Sequence, residues 1–187
     1  MITLFIDTHY KNIIVALYKD LVILDKIIIN DAKSTSIETM PAIVSLLEKN
    51  NLEIKDVNRI AVDKGPGSFT GIRIGVTIAK VLAYSLNIPI VSLTSLEIMA
   101  LNKDLNLYYA VIENNGAFVS HGSNLNDIKY YKKNEYLFFK ENNNVVDVDN
   151  INFDLLIKYI DSLKEEKSFN VNPIYVKSIE ALNDSRN

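Results

Sequence analysis

The sequence predicts an α/β protein built on a mixed sheet. Three observations predict it. Apolar, β-rich runs joined by short polar turns come first. Segments of helical period then alternate with further strands. Finally, a glycine-dense stretch, "DKGPGSFTGIRIG" at 63–75, joins a strand to an apolar helix. A chain of 187 residues suits one domain, or two small halves sharing a core.

"ITLFI" (2–6) reads as a buried strand and "THYKN" as a turn. "IIVALY" (13–18) and "LVILDKIII" (21–29) are further β runs split by the turn "KD", which makes an antiparallel meander. "STSIETMPAIVSLLEKNN" (34–51) switches to helical period, with Ile37, Met40, Val44 and Leu47 recurring at threes and fours. Thr35 with Glu38 matches a capping box, whereas a start near 38 would put Pro41 in the first turn, where its missing N–H costs little; the boundary stays open between the two. "VNRIAVD" (57–63) is a strand, the glycine loop follows, and a helix runs from about 70 to 86. "IPIVSL" (88–93) is a strand, and Thr94 or Ser95 caps a short helix ending near Leu101. Helical crossovers imply parallel pairing beside the meander.

Further on, "LNLYYAVIE" (105–113) and "AFVSHG" (117–122) pair around the turn "NNG". "EYLFFKE" is a short helix, and "NFDLLIKYIDSLKEE" (152–166) has helical spacing at Phe153, Leu156, Ile160 and Leu163. "ENNNVVDVDN" is the most linker-like stretch, and the tail "NPIYVKSIEALNDSRN" holds a small apolar patch and then frays. The halves divide as 1–104 and 105–187.

Net charge is −3, so the chain lacks the basic surplus of a protein that holds nucleic acid alone. The absence of cysteine excludes a disulfide framework, a zinc–thiolate site and a thiol nucleophile, and fits a cytoplasmic setting. The apolar N-terminus is too short for a signal sequence. No apolar run approaches the roughly 20 residues of a membrane helix, so no membrane partner is expected.

Gly65 and Gly67 flank Pro66 after a strand, and Ser68 and Thr70 are good helix N-caps. Such a loop leaves N–H groups free at a helix start, a natural place for an anion. The known phosphate patterns do not fit. Ile72-Arg73 follows Gly71 where a Walker loop wants Lys then Ser/Thr, and the third glycine falls one position late for a dinucleotide fingerprint. On spacing alone, a tight strand-to-helix turn outweighs ligand binding. Arg73 opposes the helix dipole unless it faces an anion, with Asp7 and Asp63 as local candidates. Gly71, Gly75, Ala79 and Ala83, spaced by four, form a small-residue stripe that would let another backbone come close. The helix near 38–49 could supply a packing partner in cis, and a second chain could complete the bundle.

"GPGSFTGIRIG" (65–75) closely resembles the signature of the TsaB (YeaZ) family. "FIDT" resembles the family's opening strand, "IPIVSLTSLE" (88–97) its segment after the glycine helix and "NPIYVK" (172–177) its ending. The resemblance implies an actin-like (ribonuclease H-like) ATPase fold with two lobes, the second shortened. It implies a noncatalytic scaffold subunit of the complex that makes threonylcarbamoyl-adenosine in tRNA. The chain would bind a catalytic TsaD-like subunit, be joined by a TsaE-like ATPase, and meet tRNA only through the complex; without TsaD it could form a homodimer. The interface residues are then Ile37, Met40, Val44, Gly71, Gly75, Ala79 and Ala83. Asp7, Thr8, Gly65, Gly67, Ser68, Thr70 and Arg73 are candidates for contacting a nucleotide or anion, with ATP or ADP at the partner joint and no intrinsic cofactor. Two segments depart from the family pattern: "VIENNGAF" stands where the family carries an Asp-Ala-Arg segment, and "TSI" (35–37) where many members have a His.

The rival reading is an independent ATPase or phosphotransferase of the same fold. It would need strand-end acids to hold a metal and orient water. Asp7, Asp63 and Glu113 are candidates, but no spacing among them compels adjacency. His9 and His121 are too far apart for a metal pair and read as surface histidines. The "KYYKK" run at 129–133 mixes bases and aromatics that could touch RNA, although a solvated strand or turn is the stronger reading.

Overall fold

A computed structural model of the chain describes residues 1–10, 12–102, 104–147 and 151–176. The first sheet contains β1 (Ile2–Asp7), β2 (Ile13–Lys19), β3 (Val22–Ile29), β4 (Arg59–Asp63) and β5 (Ile90–Leu93), in the order β3-β2-β1-β4-β5. The three meander strands are antiparallel, and β1–β4 and β4–β5 are parallel. Helices α1 (Thr35–Lys49), α2 (Phe69–Leu86) and α3 (Ser95–Met99) provide the connections around β4 and β5.

Side-chain alternation sorts the strands onto two cores. Leu4 and Ile6 of β1 and Val15 and Leu17 of β2 pack under α1 and α2, against Ile43, Leu46, Ile72 and Val76. Phe5, Ala16 and Tyr18 point the other way, against Leu156, Ile157 and Ile160 of α5 (Phe153–Ser162). Central strands covered on both faces read as continuous apolar runs, and so "ITLFI" and "IIVALY" do.

The second sheet has the order β8-β7-β6-β9, from β6 (Tyr108–Glu113), β7 (Gly116–His121), β8 (Asn124–Lys132) and β9 (Val145–Val146). α4 (Lys133–Glu141) packs Tyr136 on Ala110, Ala117 and Val119. The other face packs Tyr109, Val111 and Phe118 against Leu96 and Ala100, so α3 joins the sheets: its Ile98 packs into the α5-side core of the first sheet and its Leu96 against the second sheet. The division at 104/105 separates the two sheets but not the packing, because α5 lies beyond it and covers the first sheet.

Several expectations need correction. α1 begins at Thr35 behind Ser34, whose N–H donates to Glu38 Oε1 at 2.7 Å, and Pro41 lies inside the helix rather than in its first turn. Val145 and Val146 form a strand parallel to β6 inside the linker-like stretch. The "KYYKK" run lies mostly in the edge strand β8, in line with the solvated-strand reading rather than RNA contact. Residues 148–150 and the tail from Lys177 lie outside the described residues. By length and composition alone, α2 (18 residues, hydropathy 1.3) could cross a membrane, contrary to the sequence reading. Its Gly71, Ile72, Gly75, Val76, Ala79 and Ala83 are buried, and a core helix of a sheet protein has the same composition.

Candidate functional site

The parallel register sets Ile6 beside Val62 and therefore brings the strand-end acids Asp7 and Asp63 together. Between them sits His9, two residues past Asp7. All three side chains are buried, with exposures of 1%, 0% and 5% for Asp7, Asp63 and His9. His9 Nδ1 lies 2.7 Å from Asp7 Oδ1 and 3.1 Å from Asp63 Oδ2. Asp7 Oδ1 also accepts the His9 backbone N–H at 2.9 Å. Asp63 Oδ1 accepts the Gly65 N–H at 2.7 Å and faces Ser95 Oγ at 2.9 Å, a hydroxyl also 2.8 Å from the Pro66 carbonyl. Asp7 Oδ2 and Asp63 Oδ2 are buried, and Asp63 Oδ2 faces the imidazole at 3.1 Å.

Burial alone would lower the His9 pKa. The Asp7 charge and hydrogen bonds to Asp63 and Asp7 outweigh it, and the imidazole is held protonated well above its ordinary range. Burial, then the Asp7 charge, pushes the Asp63 carboxyl up to about 6, against the pull of His9. Both shifts favour a proton on the imidazole that lies between the two acids. The reading of His9 as a surface histidine is thus wrong. A signal was present: Asp7 and His9 are two apart at a strand end, so they share a face. His121 lies in the second sheet, its Nδ1 2.6 Å from Ser123 Oγ.

Strand-end acids of this kind are what the rival ATPase reading would need to hold a divalent cation. Asp7, His9 and Asp63 each bring one ligand atom within 4.8 Å of the others. Ligands at about 2.0–2.2 Å from a common ion lie about 3.0–3.4 Å apart, and the imidazole must be neutral. Here Nδ1 and Asp7 Oδ1 lie 2.7 Å apart, a hydrogen-bond separation and closer than two ligands of one ion would stand. The residues do not fit a metal.

The glycine loop closes over this cluster. Gly65 has φ +92°, a conformation that side chains disfavour. Ser68 donates its backbone N–H to His9 O at 2.6 Å, and its Oγ caps α2 by accepting the Gly71 N–H at 3.2 Å. A Cβ on Gly67 would strike His9 O, one on Gly71 would strike Thr8 O, and one on Gly75 would strike Thr8 Oγ1. Thr8 itself donates to Gly71 O at 2.8 Å. The helix N-terminus is therefore filled by the backbone of Thr8 and His9, just past β1. Of the candidate anion contacts, Asp7, Thr8, Gly65 and Gly67 are buried in this contact and Ser68 is the cap.

The same geometry corrects the seam. Gly71, Gly75, Ala79 and Ala83 face the chain's own sheet, with Ala79 and Ala83 at 0% and 1% exposure. The close approach that the small residues permit is made by Thr8, not by a second chain.

What lies open is the outer face of the same helix pair. Ile37 (71%), Met40 (38%) and Val44 (45%) of α1 are exposed, as are Val81 (55%) and Tyr84 (79%) of α2. Ser36, Met40, Thr70, Arg73, Ile74, Thr77 and Ile78 line a groove of about 430 Å³ between them. Arg73 does not reach Asp7 or Asp63; its guanidinium sits 4.8 Å over the Phe69 ring. A larger cavity, about 610 Å³, lies beside Lys64 and Ser92, and several of its polar groups are paired: Lys64 donates to Ser92, Ser92 to Glu166, and Glu97 accepts from Tyr159.

Fold and site together define a two-sheet α/β protein whose strand-end acids are sealed by its own histidine and whose paired helices carry an open apolar face. Comparison with known proteins narrows this. The family model described as "TsaD: tRNA N6-adenosine threonylcarbamoyltransferase" matches residues 23–171. The Bacillus subtilis (strain 168) "tRNA threonylcarbamoyladenosine biosynthesis protein TsaB" is 44% identical over 102 residues, 54% of this chain and 44% of that protein. The protein of that name from Buchnera aphidicola subsp. Schizaphis graminum is 42% identical over 99 residues, 53% of this chain and 47% of the relative. The matches thus span under half the length of these relatives. A Pseudomonas aeruginosa crystal structure described as similar to peptidase YEAZ has the same fold, with a TM-score of 0.71 at 16% identity over 94% of this chain and 99% of that one. The chain belongs to this family, on its TsaB (YeaZ) branch.

Proposed function

We propose that this chain is a noncatalytic subunit in the formation of threonylcarbamoyl-adenosine in tRNA, and that it works by docking a TsaD-like catalytic subunit on the outer α1/α2 face. The names of its relatives point to the pathway. The observation that carries the docking role is the apolar face of Ile37, Met40, Val44, Val81 and Tyr84, left open on a helix pair whose inner side is fully packed. Exposed apolar residues gathered on one rigid face mark protein–protein surfaces. In this reading tRNA and a TsaE-like ATPase are met only through the complex, in the cytoplasm. Any ATP or ADP belongs to the joint with the partner, because the chain's own helix start is occupied by Thr8 and His9.

The test is co-purification with the TsaD-like subunit of the same organism, using wild type and the double variant Val44→Asp/Tyr84→Ala. Both positions are exposed, so the variant should keep its melting temperature within the small range of surface substitutions. Loss of the partner at unchanged fold is the expected result. Retention of the partner, or a wild-type chain that forms only a stable homodimer through this face, overturns the proposal. ATP turnover by the isolated chain would favour an independent ATPase.

A further inference from the structure

We propose that the imidazolium of His9 is the resident cation of the Asp7–Asp63 pair, taking the place a divalent ion would need and pinning the glycine loop, and with it the start of α2, to the end of β1. This stands independently of the docking reading.

Two parallel strands that both end in Asp produce a pair of facing carboxylates, and two buried like charges need a counter-charge. His9 supplies it from the same chain: one N–H, two carboxylate oxygens, at 2.7 and 3.1 Å. Among the described residues, Asp7 of β1 and Asp63 of β4 are the ionisable groups facing the ring; from the loop and α3 the neighbouring groups are neutral, Gly65 N–H and Ser95 O–H. The residues that hold the ring also hold the loop. His9 O takes the Ser68 N–H, and Asp63 takes the Gly65 N–H, so the two ends of Gly65–Ser68 are tied to the two sides of the cluster. His9 is therefore a positioning residue: it sets where α2 begins.

The sign of the pH effect follows. A histidine whose pKa is raised by folding contributes stability that is complete below its unfolded value, about 6.5, and is lost as pH rises through the folded value. Asp63, raised to about 6, acts in the same direction at lower pH, between about 4 and 6.

Nitrogen-15 NMR of the imidazole rings tests the assignment directly. The chain has two histidines, so His9→Gln identifies the signal. His9 should remain imidazolium to higher pH in the folded chain than in urea. The melting temperature of wild type should exceed that of His9→Gln by a margin that shrinks as pH rises above 6.5. Adding Mn²⁺ or Zn²⁺ should not raise the wild-type melting temperature, whereas Mn²⁺ should raise that of His9→Ala, in which the carboxylates face an opened space. A neutral His9 at pH 7 overturns the proposal, as does Zn²⁺ stabilising wild type with loss of the imidazolium signal. If neither variant folds, the wild-type titration and the metal additions still decide it.

Discussion

Gly75→Ala measures which way the small-residue stripe faces. In an open helix this change gains about 1 kcal/mol of helix propensity. Here the new methyl would strike Thr8 Oγ1, while Thr8 Cβ stands at an ordinary 3.5 Å. Thr8 is fully buried and cannot swing into solvent. Forcing a methyl into a packed site costs about 1–3 kcal/mol. Displacing the hydroxyl from Gly71 O adds about 1 kcal/mol. Net of propensity, Gly75→Ala should destabilise by about 1–3 kcal/mol. Removing the hydroxyl removes the obstacle. In a Thr8→Ala background the same change should therefore turn neutral or stabilising, by up to about 1 kcal/mol. The assay is urea unfolding of the four chains of the cycle, read as shifts in midpoint at constant slope. If Gly75→Ala stabilises the wild type, or if its effect is the same with and without Thr8, the stripe does not lie against β1 and the case for the outer face fails with it.

Two further substitutions probe the same architecture. Ala79→Glu puts an unpartnered carboxylate where exposure is 0%, and it should destabilise by about 4 kcal/mol or more, seen as loss of cooperative unfolding by circular dichroism. Ile157→Ala empties the contact between α5 and the first sheet and should cost about 2–5 kcal/mol; a cost below 1 kcal/mol would mean that α5 belongs to the second sheet's half alone.

Local pattern sufficed for much of the fold. The meander, the strand before the glycine loop, the long apolar helix and the capped short helix after "IPIVSL" follow from periodicity and caps, which depend only on near neighbours. β8 was legible only at its "KYYKK" end, because an edge strand with both faces partly wet carries no clean alternation, and β9 was not, because two valines between an asparagine and an aspartate make no run. Ser68 and Gly65 could be assigned as cap and turn from residue type alone.

The site is a different matter. Which face of α2 is inner depends on where Thr8 lies, 67 residues before Gly75, so a stripe of small residues is the same string whether it meets its own sheet or another molecule. Asp7, His9 and Asp63 are adjacent because β1 and β4 are parallel neighbours in register, a pairing that acts across some fifty residues of chain. The sequence by itself determined an α/β chain with a tight turn feeding an apolar helix. Only the tertiary structure decided that the turn is sealed by a buried histidine between two acids and that the helix shows its larger apolar residues, not its smallest, to the outside. Periodicity reports that a face is apolar, but exposure is a property of what else packs there.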